Sequence, residues 1–220
     1  MKKYIAEFIG TFTLVLFGTG VAVISGGNIV GTAMAFGLAI IASAYVIGDI
    51  SGCHVNPAVS FAMLISNKMT FKDFVGYVIS QVLGALAGSG LLYAILSATE
   101  IGTNSLGVNG FNELSAVNIT LFGAIIVEII LTFIFVYTIL GVTSDEKKSN
   151  VAGLVIGFTL TFVHLLGITL TGTSVNPARS LAPALIQGGN ALGQVWVFVV
   201  APLVGAALAA FVYKYLNNKK

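Results

Sequence analysis

Two stretches of the chain repeat each other: SGCHVNPAVS at residues 51–60 and TGTSVNPARS at residues 171–180 agree at six of ten positions, at an offset of 120. Each centres on an asparagine, a proline and an alanine: Asn56, Pro57 and Ala58 in the first, Asn176, Pro177 and Ala178 in the second. Asparagine is a favoured N-cap and proline is preorganised for the first helical position, so each motif predicts the start of a helix. A helix N-terminus carries about half a positive charge, and a side-chain amide beside it offers N–H donors. Such a site orients a small polar molecule without breaking bonds in it. Bond-breaking chemistry has little support elsewhere. Cys53 and His54 are adjacent, and neighbours on an extended strand point to opposite faces, which makes them a poor nucleophile–base pair. No His/Cys group has metal-ligand spacing. The sequence therefore predicts no catalytic residue, no metal and no cofactor.

The composition says what surrounds these residues. Of 220 residues, 57% are hydrophobic and 8% charged, against about 25% charged in soluble domains. Lipid must solvate this chain. A bilayer core of about 30 Å takes roughly 20 apolar residues to cross, and six runs qualify: residues 4–24, 30–50, 71–96, 117–142, 151–170 and 193–216. The first follows Lys2 and Lys3 as a secretory signal would, but it lacks a small-residue cleavage site and reads as a retained span. A net charge of +2 argues against nucleic acid, and one cysteine forms no internal disulfide. The sequon at Asn118 is short enough to arise by chance. All nine lysines fall at four places: Lys2 and Lys3, Lys68 and Lys72, Lys147 and Lys148, and Lys214, Lys219 and Lys220. With six spans these share one side, which the positive-inside rule makes cytoplasmic.

The repeat reaches beyond the motifs. Glu7, Thr11, Phe12 and Val15 return as Glu128, Thr132, Phe133 and Val136 at an offset of 121. The chain thus reads as one channel-like domain over 1–220, with repeats at 4–96 and 117–216 and a cytoplasmic linker at 143–150. Each repeat holds three spans, an odd number, so the two enter the membrane from opposite sides and place their shared site near the midplane. Residues 57–66 and 177–187 are about half a bilayer long as helix. They are expected to re-enter the membrane and meet head to head, which is tolerated only where the backbone is buried in protein or lines water. Two N-termini facing one lumen repel cations. A water accepting from both Asn56 and Asn176 turns its hydrogens away along the lumen and interrupts a proton relay. The competing reading is that both asparagines only cap their helices.

With six spans, two Asn-Pro-Ala motifs and the paired glutamates Glu7 and Glu128, the chain resembles the aquaporin, or major intrinsic protein, family along essentially its whole length. The resemblance implies an all-α membrane bundle of six transmembrane helices and two re-entrant half-helices. It also implies water as the permeant, a lipid bilayer around a homotetramer, and a cell-membrane location with both termini cytoplasmic. Arg179, the only arginine, lies one helical turn outward from Asn176, where a charge must face polar groups or water. Phe36 and His164 each lie about six residues, roughly 9 Å, inside the outer ends of their spans, and Thr173 sits on the strand-like descent before Asn176. In the family these four positions form the selectivity filter, and this combination resembles water-selective members, with His164 and Arg179 offering donors. Glycerol-conducting relatives, the alternative, tend to carry aspartate where this chain has Ser180. Glu7 and Glu128 resemble braces that accept hydrogen bonds from the re-entrant loops. Asp49, Ser51 and His54 form a polar vestibule or a gate on the cytoplasmic side. Cys53 is the counterpart of Thr173, and either lines the inner half of the lumen as a mercurial site or is a small residue packed away. An adhesive protein with a closed lumen and an intramembrane enzyme are the readings from other classes.

Overall fold

The computed structural model describes residues 1–144 and 146–217, with the side chains of residues 146–149 left aside. Lys147, Lys148, Lys219 and Lys220 of the expected basic face, and part of the 143–150 linker, therefore lie outside the described side chains. Nine α-helices are found among the described residues: α1 Lys2–Ile24, α2 Ile29–Ser51, α3 Pro57–Ile65, α4 Phe71–Ser97, α5 Leu121–Val142, α6 Glu146–Thr171, α7 Pro177–Gln187, α8 Gly189–Gln194 and α9 Val197–Asn217. Six stretches are long and apolar enough to cross a membrane, formed by α1, α2, α4, α5, α6 and α8–α9. The short α3 and α7 are the half-helices.

Two boundaries differ from the sequence reading. The fourth span starts at Leu121 rather than 117. Ser115 Oγ accepts from the backbone N–H groups of Val117 and Ile119, Asn118 takes a left-handed φ of 53°, and Thr120 caps α5 by accepting from Gly123 N. Short polar side chains here bind backbone that a helix would otherwise use. The sixth span is broken between α8 and α9, and α9 carries Pro202 in its interior. Proline has no N–H to give the carbonyl four residues back, so Phe198 O lacks its helical donor and lies 3.2 Å from Ser174 Oγ.

The inverted repeat is visible in the packing. On α4, a Cβ at Gly84 would collide with Phe8 O of α1 and lie 3.1 Å from Phe12 N. On α9, a Cβ at Gly205 would lie 2.5 Å from Ile129 O and 3.1 Å from Phe133 N of α5. Each residue of the second set is its counterpart plus 121. Only glycine allows these backbones so close, as small residues do elsewhere in membranes. The small-residue stretch near Gly84 therefore packs within the chain. Where α2 crosses α6, Gly37 and Gly157, offset by 120, approach reciprocally: a Cβ on either would lie 2.6 Å from the other's carbonyl. That crossing marks the pseudo-twofold axis.

Lipid solvation inverts the usual distribution of side chains. Phe17, Phe122, Phe158 and Phe211 are exposed on the outside, while Glu7, Gln81, Glu128, His164 and Arg179 are buried.

Candidate functional site

The descending segments before the two half-helices are not strands. Cys53, Val55, Thr173 and Val175 have φ of 49°, 42°, 48° and 47°. The left-handed region is costly for any side chain and more so for a β-branched one, and it persists only where the surroundings over-determine it. The strand argument against a Cys53–His54 pair therefore fails as geometry. The pair is still not formed: the His54 ring meets Ser60 Oγ at 3.0 Å and the edge of Tyr77.

Two buried carboxylates supply the over-determination. Glu7 accepts from His54 N at 2.9 Å, Val55 N at 2.6 Å, Ser51 Oγ at 2.7 Å and Gln81 Nε2 at 2.7 Å. Glu128 accepts from Ser174 N at 2.9 Å, Val175 N at 3.0 Å and Thr171 Oγ1 at 2.6 Å. A buried carboxylate needs this many donors to offset its lost hydration.

Each asparagine does three things. Asn56 Oδ1 caps α3 by accepting from Ala58 N, and Asn176 Oδ1 caps α7 by accepting from Ala178 N and Arg179 N. Asn56 Nδ2 donates to Val175 O at 2.7 Å and Asn176 Nδ2 to Val55 O at 2.9 Å, a reciprocal cross-link between the half-helices. An amide nitrogen has two hydrogens, so one remains on each residue for a third partner. Both asparagines line a cavity shared with Phe36, Ile40, His54, Leu160, His164 and Arg179.

Phe36, His164 and Arg179 converge on the wall of this cavity. The Phe36 and His164 rings stack with centroids 4.4 Å apart, and the Arg179 guanidinium lies 5.1 Å from the Phe36 centroid. The water-accessible volume is about 10 Å³, on the order of one water. His164 Nδ1 lies 2.9 Å from Leu160 O. A carbonyl only accepts, so Nδ1 carries the proton and, in the neutral ring, Nε2 is an acceptor. Nε2 has no protein partner. With that tautomer His164 presents an acceptor at Nε2 rather than the expected donor. Thr173 does not join the ring through its side chain, which is fully buried against Gly167 and does not line the cavity.

Comparison with known proteins agrees with this architecture. The model of the family described as major intrinsic protein matches residues 1–213. The chain is 44% identical over its full length to the glycerol uptake facilitator protein-like 6 of Lactiplantibacillus plantarum, covering 100% of each. It is 42% identical to aquaporin Z of Rhodopseudomonas palustris, over 98% of this chain and 93% of that one. Among solved structures, the aquaglyceroporin from Plasmodium falciparum superposes with a TM-score of 0.84 at 26% identity, over 98% of this chain and 96% of that one. The chain belongs to the major intrinsic protein family.

It is a multi-pass membrane channel protein, not an enzyme, and the remaining site residues take their meaning from that. On the side of the termini the constriction gives way to a vestibule of about 420 Å³ lined by Tyr45, Asp49, Cys53, Thr143 and Asn150, with Ile40 common to both spaces. Cys53 is a free, half-buried thiol on this wall. Ser51 is buried as a Glu7 donor rather than lining the vestibule. Sequence reading missed Gln81, which donates to both Glu7 and Ser60 Oγ, and Gly107, whose carbonyl accepts from Arg179 Nη1 at 2.8 Å. A buried glutamine in an apolar span was a signal for the first. A backbone acceptor in a loop left none.

Proposed function

We propose that this family member conducts water and excludes ions, protons and larger solutes. The observation that carries the reading is the stack of Phe36 on His164 beneath the Arg179 guanidinium, in a space of about 10 Å³. A water passing there donates to His164 Nε2 and accepts from Arg179, and so recovers part of the hydration it gives up. The remaining amide hydrogens of Asn56 and Asn176 then turn it at the half-helix junction, where two helix N-termini oppose a cation. In this reading Phe36, His164, Thr173 and Arg179 form the filter, Thr173 through its backbone, and Glu7 and Glu128 brace the descending segments. The chain sits in the cell membrane as a homotetramer; its termini are cytoplasmic, an orientation that Lys2, Lys3, Lys68, Lys72 and Lys214 support.

A second reading, a glycerol or small-neutral-solute facilitator, is favoured by the names of the Lactiplantibacillus relative and the Plasmodium structure. The two separate on the filter. If Phe36 and His164 set the width, Phe36→Ala with His164→Gly admits glycerol into proteoliposomes while water flow persists, and Arg179→Val in that background raises proton leak. Unchanged glycerol and proton flux in both variants would place the filter elsewhere.

A further inference from the structure

Arg179 is held from outside the repeat. It donates through Nη1 to Gly107 O at 2.8 Å, and its Nε has no protein partner. Ser180, the next residue of α7, donates to Asn109 Oδ1 at 2.7 Å. Two consecutive side chains of the half-helix thus grip Gly107 and Asn109 of the loop before α5. Asn109 is buried and spends Nδ2 on Thr171 O at 3.2 Å, beside the bond from Gly110 N to the same carbonyl at 3.1 Å. The loop's other ties lie to either side, from Leu106 N to Gln187 Oε1 at 3.0 Å and from Phe111 N to Gln194 Oε1 at 2.8 Å. Between Leu106 and Phe111, Asn109 is the one polar side chain.

The bonds close a ring. Thr171 Oγ1 donates to Glu128 Oε1, which also accepts from Ser174 N; Ser174 Oγ meets Ser180 Oγ at 2.6 Å; Ser180 donates to Asn109, and Asn109 donates back to Thr171 O. In the first repeat the counterpart of Ser180, Ser60, is met instead by Gln81 Nε2 and His54 Nδ1, both at 3.0 Å.

We infer that Asn109 is a positioning residue for selectivity: it fixes the height of the Gly107 carbonyl and thereby holds the Arg179 guanidinium against the lumen wall. The inference rests on the reading of Arg179 as part of the filter. Ser180 is the matching half of the device, because its hydroxyl both donates and accepts. An aspartate there accepts only. It would face Asn109 Oδ1 with no hydrogen between them and turn the amide over, which removes the bond to Thr171 O and resets the loop.

The test uses the full chain in liposomes, with water flow per channel read by stopped-flow light scattering. Asn109→Ala is expected to lower water flow severalfold: it removes both side-chain hydrogen bonds of Asn109, each worth about fivefold in the ratio of held to released guanidinium, and the released group swings across the lumen. In an Arg179→Val background the same substitution is expected to change nothing, a coupling that a merely structural residue would not show. Ser180→Ala reproduces the loss and adds nothing to Asn109→Ala, and it serves as well if Asn109→Ala does not assemble. Wild-type flow in both single variants, or an equal loss with and without Arg179, would overturn the inference. Failure of the filter reading looks different: Arg179→Val alone would leave ion and solute exclusion at wild-type levels, whatever Asn109→Ala does.

Discussion

At the scale of single residues, the account turns on which atoms are left over after the protein has satisfied itself. Asn56 and Asn176 each commit one amide hydrogen to the opposite half, His164 commits Nδ1, and Arg179 commits Nη1. The four residues that carry what remains line a space of about 10 Å³. Cys53 is the clearest single-residue test, since it is the only thiol and sits on the vestibule wall. A thiol bordering water can ionise and react, whereas one packed in apolar surroundings is inert. Membrane-permeant mercurials are therefore expected to slow water flow, and Cys53→Ser to abolish the inhibition while leaving normal flow. Wild-type channels that resist the mercurial would place the thiol out of reach of the lumen.

At the scale of elements, the left-handed residues before α3 and α7 are held by one carboxylate each. The halves are not equally supported: Glu7 has four donors, including Gln81, while Glu128 has three. Pro202 stands 121 residues after Gln81 and contributes no donor; it leaves Phe198 O without its helical partner, 3.2 Å from Ser174 Oγ. Glu128→Gln turns an N–H₂ toward a backbone N–H that needs an acceptor. Orphaning a buried donor costs about 1–3 kcal/mol. Thermal unfolding in detergent is expected to show a clear loss of stability for Glu128→Gln. An unchanged midpoint would mean that the descending segment is held by other contacts.

At the scale of the molecule, much of the fold was legible because its signals are periodic or repeated. Apolar length marked the spans, and the Asn-Pro-Ala copies marked the half-helices and the inversion; α7 covers Pro177–Gln187, the range expected from its motif. The start of α5 was not legible, because Ile119 and Val117 extend the apolar run while Ser115 and Thr120 bind the backbone locally. The asparagine cross-link was hidden because it depends on left-handed φ at Val55 and Val175, which β-branched residues disfavour. Phe36, His164 and Arg179 could be set at one height from helical rise alone. The Thr173 side chain could not, since its direction follows the same unexpected backbone. The loop that holds Gly107 and Asn109 has no periodicity to read.

In the proposed water channel, Phe36, His164 and Arg179 narrow the lumen to the width of a water. Stopped-flow light scattering on one preparation of wild-type proteoliposomes measures it directly, first under an impermeant osmolyte and then under a glycerol gradient. Fast shrinkage with a low activation energy is expected, with glycerol uptake no faster than in empty liposomes. Rapid glycerol-driven re-swelling would contradict a constriction of that width.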